Sequence, residues 1–340
     1  MNPPVAARKY LVTGATGFIG GHLTRALLEA HGPDSVVAFV NPHRRPSEAT
    51  AFDLVRQRNA RIVECDLLEL PRVRPTAPPF DVLIHLAGCA EPENPRADVS
   101  VNDVGTHRLL EWLGPALRGR RFIYASTLAC VDRARPLGAV TEQTPCSPRT
   151  PYGITKLRAE EIIRTGSAEF GYEFTILRLC TIIGPGFRPT GMFGVCPKLL
   201  ERGAVSTRFN WPGRSSFLGV DDLVRIIQDL AAEPRAAQEV FVTSNGEDPT
   251  FDTVLDLIAR IHDIERRRVT LPRLLWRLLG AGVWRVARSA VTPARMRIPC
   301  WRAANVIYDG IRADASKLNQ LVGDRYQSVH DALRQAYAKR

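Results

Sequence analysis

A strand that runs directly into three glycines at three-residue spacing constrains this chain more than any other feature. Lys9, Tyr10, Leu11, Val12 and Thr13 are followed at once by Gly14, Gly17 and Gly20, and an amphipathic pattern then covers 19–31. Glycine lets the backbone turn tightly and approach a bound group, and a helix starting there points free N–H groups and its positive dipole end outward. Strand, glycine loop and helix in that order read as a pyrophosphate cradle for a dinucleotide, with Gly14, Thr16, Gly17, Phe18 and Ile19 in contact.

The same alternation continues along the chain. Further strand patterns fall at 36–40, 62–65, 82–86, 122–125, 174–179 and 240–243, with helical patterns at 48–59, 101–113, 152–170 and 221–232. Strands alternating with helices imply βαβ units, so the expected fold class is α/β with a doubly wound parallel sheet of about seven strands. Residues 1–183, completed by 217–243, would form the dinucleotide-binding domain. The glycine-, proline- and aromatic-rich 184–216 and the mainly helical 244–340 would form a smaller substrate-binding region. Proline fixes φ and lacks a donor, so the proline-rich 71–79 reads as a surface loop.

Composition narrows the class of protein. A chain of 340 residues, 45% apolar, can bury a large core. Its net charge of +11 allows acidic partners, but the arginines are spread and only Arg266, Arg267 and Arg268 form an uninterrupted basic triplet, without interleaved aromatics. Nucleic acid is therefore not an expected partner. The seven cysteines show no paired spacing, so no metal is expected, and with no secretory signal recognised they read as buried thiols in the cytoplasm. No run approaches the roughly 18 to 20 apolar residues of a membrane span. The most lipid-like segment, 271–288, is interrupted by Arg273, Arg277 and Arg285. It reads as a basic amphipathic helix whose Trp276 and Trp284 pack inside the C-terminal region, wall a substrate pocket or rest on a membrane surface.

The end of the second strand bears on the choice of dinucleotide. An acid there holds the ribose hydroxyls of NAD and repels the 2′-phosphate of NADP. Here Val40 occupies that place and Asn41, Arg44 and Arg45 follow, so NADP(H) is favoured over NAD(H).

Tyr152 and Lys156 begin a long helical pattern and stand at i and i+4, on one face. A phenol with a pKa near 10 is a poor base at neutral pH, but a neighbouring ammonium favours its anion. Tyr152 can then pass a proton to or from a substrate oxygen while a hydride moves at the adjacent carbon. Ser126 and Thr127, at the C-terminal end of a strand, supply hydroxyls to orient that oxygen.

With these pieces assembled, the chain resembles an extended short-chain dehydrogenase/reductase of the NAD-dependent epimerase/dehydratase type. The resemblance rests on 13–20, Cys65-Asp66-Leu67, His85-Leu86-Ala87-Gly88, 102–106, Ala125-Ser126-Thr127 and Pro151-Tyr152-Gly153-Ile154-Thr155-Lys156. Leu177-Arg178, Gly184-Pro185-Gly186, 217–223 and 314–317 agree with it. It implies Thr127, Tyr152 and Lys156 as the catalytic set, with Tyr152 and Lys156 also touching the cofactor. Asp66 and Leu67 would flank the adenine, and Leu86, Ala87, Gly88, Ala125 and Ser126 would line the dinucleotide. Leu179 and Ile182 would bracket the nicotinamide, and Asn102 would be largely structural. Ala90, Thr127, Thr181 and Arg188 would meet the substrate, a small molecule. The resemblance also implies a homodimer joined through 101–113 and 152–170.

Where the chain departs from the pattern, the reaction is affected rather than the fold. Ala90 replaces a lysine that many relatives with permanent NAD carry, and Leu128, Ala129 and Cys130 replace the acids a dehydratase would want after its hydroxyl. The leading expectation is an NAD(P)-dependent oxidoreductase acting on a carbonyl or alcohol, with an apolar pocket side at Leu128 to Cys130. The alternative is a nucleoside-diphosphate-sugar 4-epimerase with retained NAD, whose Arg188 and Arg214 meet the diphosphate. A non-catalytic dinucleotide-binding scaffold would be expected to have lost Tyr152 or Lys156, and both are present.

Overall fold

The structure, a computed structural model, describes residues 8–43, 46–70, 78–90, 98–131, 138–189, 191–289, 303, 306–307 and 311–338. Seven parallel strands form the main sheet: β1 (Tyr10–Thr13), β2 (Val36–Val40), β3 (Arg61–Glu64), β4 (Val82–His85), β5 (Arg121–Thr127), β6 (Glu173–Leu179) and β9 (Glu239–Val242). Their order across the sheet is β3-β2-β1-β4-β5-β6-β9. All seven expected strands are present within a residue or two of the ends read from the pattern. Parallel strands buried on both faces are continuously apolar, and β1, β2 and β4 are buried at every position. The edge strand β3 is only half-buried.

Helices cover both faces. Leu23 and Leu27 of α1 (Phe18–His31) and Ile226 and Leu230 of α6 (Val220–Ala232) share one core with Val12, Ala38 and Ile84. Leu109 and Leu113 of α3 (Val104–Leu113) and Ile163 of α4 (Pro151–Phe170) share the other with Leu11, Leu83 and Phe122. A short helix α2 (Ala49–Gln57) follows β2. The chain reverses direction across the sheet between β1 and β4, and in such sheets the crevice at the carboxyl ends of those strands is where ligands sit.

After β6 the chain forms a second, smaller layer. Two three-residue strands, β7 (Thr181–Ile183) and β8 (Phe217–Gly219), pair in parallel. They were not anticipated because three residues carry too little alternation to register. A third core joins Phe193 and Leu200 of α5 (Met192–Glu201), Val254 and Ile258 of α7 (Phe251–Ile261) and Leu333 of α10 (Val329–Tyr337). Between α7 and α10 lie α8 (Arg273–Arg288) and α9 (Ser316–Val322), and Leu318 of α9 returns to the α1/α6 side of the sheet. Residues 71–77 of the proline-rich loop lie outside the described residues.

Candidate active site

The crevice is a cavity of about 770 Å³, the size of a cofactor site. Its floor is the glycine loop. Gly14 has φ +66°, a left-handed conformation, and a Cβ there would stand 2.8 Å from the backbone N of Ala87. A Cβ at Gly20 would lie 1.9 Å from the carbonyl oxygen of Gly14. The first turn of α1 has no side-chain cap and no acidic residue. A tight cradle with uncapped N–H groups fits a pyrophosphate.

Gly14, Thr16, Gly17, Phe18, Ile19 and Asn41 line the cavity at this end, with Asp66 and Leu67 beside them. Asn41 Oδ1 accepts the His43 N–H at 2.7 Å, and Asp66 Oδ1 accepts the Leu68 N–H at 2.8 Å. Arg44, like Arg45, lies outside the described residues. Val40 is buried, leaving no acid at the end of β2. A residue that sequence reasoning missed, Glu48, enters the cavity from the turn before α2, and Thr16 Oγ1 donates to its carboxylate at 3.1 Å. A search confined to the strand end passes over it, because the chain brings it back eight residues later.

The opposite end gathers the reactive side chains. Leu86, Ala87, Gly88, Ala90, Ala125, Ser126, Thr127, Tyr152, Lys156, Leu179, Ile182 and Arg188 all line it. Thr181 does not. Strand alternation turns Cys180 and Ile182 toward the cavity and Thr181 away from it. Arg214 is also elsewhere, donating to the Asp248 carbonyl at 2.9 Å. Leu128 and Cys130 are 3% and 0% exposed, so the apolar pocket side expected from them is core packing instead.

Tyr152 is placed by the start of α4. Thr150 caps that helix by accepting the Gly153 N–H at 3.1 Å, and Pro151 takes the first position, where its missing N–H costs nothing. Thr127, the last residue of β5, stands beside the tyrosine, and its hydroxyl favours the ionised phenol. Burial pushes the Tyr152 phenol up to about 12, against the opposing pull of Thr127 and of the positive charge of Arg188. Thr127 Oγ1 also accepts the Ala129 N–H at 3.1 Å, which fixes its rotamer.

Lys156 is 4% exposed and its ammonium donates to the Ala125 carbonyl at 2.8 Å, 4.7 Å from the centre of the Tyr124 ring. Burial pushes it down to about 8, although Cys130 and Glu160 work in the opposite direction. A Cβ at Gly88 would stand 3.1 Å from Nζ, so glycine there leaves the lysine its channel. Ser126 lines the cavity, but its hydroxyl donates to Glu160 Oε1 at 2.5 Å, inside the protein. Asn102 braces the adjoining loop, accepting the Cys89 N–H at 2.9 Å and donating to the Cys89 carbonyl and Thr155 Oγ1, both at 3.0 Å.

Comparison with known proteins agrees with this arrangement. The model of the NAD dependent epimerase/dehydratase family matches residues 10–243. An uncharacterized UDP-glucose epimerase of Bacillus subtilis is 28% identical over 275 residues, 77% of this chain and 84% of the relative. A dTDP-glucose 4,6-dehydratase of Mycobacterium tuberculosis is 28% identical over 279 residues, 75% of this chain and 78% of the relative. Among solved structures, UDP-glucuronic acid 4-epimerase from Bacillus cereus, in complex with UDP-glucuronic acid and NAD, superposes with a TM-score of 0.74. The alignment covers 97% of this chain and 98% of that one at 23% identity.

Proposed function

Because this chain belongs to the NAD dependent epimerase/dehydratase family, we propose that its cavity inverts one carbinol carbon of a nucleoside-diphosphate sugar, with NAD(H) as the retained dinucleotide. The chain is an enzyme of the extended short-chain dehydrogenase/reductase class, which moves a hydride between a nicotinamide and an alcohol or carbonyl carbon. The observation that carries the proposal is Arg188, whose charge acts on Tyr152 within the same cavity. A cation beside the proton-transfer group suits an anionic substrate. Leu128, Ala129 and Cys130, directly after Thr127, include no acid, which argues against a dehydratase, and the turning of Leu128 and Cys130 into the core removes the greasy wall a hydrophobic ketone would want.

In this reading Thr127, Tyr152 and Lys156 are the catalytic set. Bound NAD supplies reversible hydride acceptance at the carbinol carbon. Thr127 orients the substrate hydroxyl, Tyr152 exchanges the proton with its oxygen, and Lys156 sets the local potential that governs how readily the phenol releases that proton. Glu48 favours NAD over NADP, since a carboxylate beside Thr16 repels a 2′-phosphate at that end of the cavity. The relatives point the same way, because the Bacillus cereus enzyme holds NAD. The division into a dinucleotide-binding domain and a substrate region belongs to the same reading. So do a homodimer through α3 and α4, and a cytoplasmic location.

A second reading keeps the hydride chemistry but makes the enzyme an NADP(H)-dependent reductase, favoured by the buried Val40 at the end of β2 and by Asn41 in the cavity. One experiment separates the two. Purified protein is denatured and its dinucleotide identified, then native protein is incubated with UDP-glucose, UDP-glucuronate or dTDP-glucose. Retained NAD with sugar inversion and no net redox change supports the epimerase. Exchangeable NADPH consumed with a carbonyl acceptor overturns it.

A further inference from the structure

The net charge of the chain is concentrated in one stretch. Residues 266–308 contain ten arginines and no acidic residue or lysine, so they supply ten of the eleven net positive charges. Arg266 and Arg268 face the acids of α7. Arg266 bonds Asp252 at 2.6 Å and Asp256 at 2.7 Å, and Arg268 pairs with Asp256. The helix that follows, α8, carries Arg273, Arg277 and Arg285 at exposed positions.

Its outward face is apolar. Leu274, Leu275, Leu278, Leu279 and Val286 are 68%, 39%, 63%, 43% and 46% exposed, and they form one stripe that runs from Leu274 and Leu278, opposite Trp276, round one flank of the helix to Leu275, Leu279 and Val286. Among the described residues these four are the only strongly exposed leucines. Trp276 is the anchor: it is 5% exposed, its indole N–H donates to Asn210 Oδ1 at 3.1 Å, and its ring lies 4.9 Å from that of Trp211. The face is therefore presented by a helix fixed from below, and the packed-inside reading holds for Trp276 but not for the leucines. No helix among the described residues is long and apolar enough to cross a membrane.

We propose that α8 docks this chain on an anionic lipid surface, with the leucine ridge entering the headgroup boundary and Arg273, Arg277 and Arg285 meeting lipid phosphates. The charge selects the occupant. A second copy of this chain would bring two acid-free arginine clusters together, which repel, whereas an anionic bilayer offers apolar depth and negative charge at the same plane. The proposal concerns a surface distinct from the dinucleotide cavity, whose lining includes no residue of α8.

The test is flotation of the full chain with phosphatidylcholine vesicles, alone or containing about a third phosphatidylglycerol. Binding is expected to the anionic vesicles only and to weaken as salt is raised. Leu278→Ser with Leu279→Ser should lower the partition coefficient at least about ten-fold, and Arg273→Gln with Arg285→Gln about twenty-fold, with unfolding midpoints unchanged. Failure to float with anionic vesicles, or binding indifferent to lipid charge, would overturn the proposal. So would a concentration-dependent dimer, abolished by the leucine variant, in place of lipid binding.

Discussion

Ser126 Oγ donates to Glu160 Oε1 at 2.5 Å, so the hydroxyl next to Thr127 in the chain is tied to a carboxylate that is 0% exposed. Burial pushes the Glu160 carboxyl up, but the Arg178 guanidinium, with bonds of 2.8 and 3.0 Å, and the Ser126 hydroxyl together hold it below its ordinary value. Glu160 stands one helical turn after Lys156 and so ties α4 to the ends of β5 and β6. Glu160→Gln keeps the shape but leaves Arg178, 5% exposed, without its counter-charge. We expect a loss of about 3–5 kcal/mol in urea unfolding. A loss below about 1 kcal/mol would show that the network does not hold the strand ends.

Tyr152→Phe removes the phenolic hydroxyl to which we assign the proton transfer and keeps the ring. Turnover should fall at least about a hundred-fold, with dinucleotide affinity changed less than about three-fold. Thr127→Val should show a smaller loss that Thr127→Ser restores. Steady-state kinetics alongside fluorescence titration of the dinucleotide check both, and an active Tyr152→Phe enzyme would remove the tyrosine from the reaction.

Gly20→Ala places a methyl group 1.9 Å from the Gly14 carbonyl oxygen, which is backbone and cannot swing aside. The glycine loop must open, at roughly 1–3 kcal/mol or more. Dinucleotide binding, measured by calorimetry, should weaken much more than the melting temperature falls. Equal binding by the variant would mean that the loop does not hold the pyrophosphate.

His85 is fully buried between Thr13 Oγ1 at 2.6 Å and Thr106 Oγ1 at 2.9 Å, and burial, with the Lys156 charge, pushes its pKa down from 6.5 to about 3. Below pH 6.5 the unfolded chain takes up a proton that the folded chain refuses. This contribution is fully present above pH 6.5 and is lost as pH falls toward 3, about 5 kcal/mol in all. Urea titrations between pH 7 and 4 should show a steep acid limb that His85→Gln flattens; parallel curves for the two proteins would contradict it.

Lys156 gives the same sign at the other end of the scale, its pKa pushed down by burial from 10.5 to about 8. Below pH 8 the fold bears the cost of a buried ammonium, and that cost disappears as pH rises from 8 to 10.5. Lys156→Met never carries it. Relative to this variant the wild type should therefore gain about 3 kcal/mol across that range, read from paired denaturation curves. A constant gap would place the ammonium in contact with water.

Sequence periodicity was enough to locate the main sheet because buried parallel strands are nearly all apolar and each is punctuated by a helix. The glycine loop and the pair Tyr152 and Lys156 were legible for a related reason: their spacing lies within one turn or one helix, so local geometry fixes their relation. Glu48 was not legible. It reaches Thr16 across a gap of 32 residues, and only the path of the chain after β2 brings them within hydrogen-bond distance. Thr181 and Cys180 differ by one position, and which of them faces the cavity depends on the register of a three-residue strand paired with β8, 36 residues away.

The sequence by itself determined the doubly wound sheet, the glycine loop between β1 and α1 and the placing of Tyr152 and Lys156 one helical turn apart, since each follows from short-range spacing and from where apolar residues recur. Only the tertiary structure decided which hydroxyl meets Tyr152. Ser126 and Thr127 are chemically alike and adjacent, but strand alternation sends one to Glu160 in the interior and the other to the tyrosine. It also decided the fate of α8, because an amphipathic pattern states that one face is apolar and does not state what covers it. Burial is a property of neighbours, and most of those neighbours are remote in the chain.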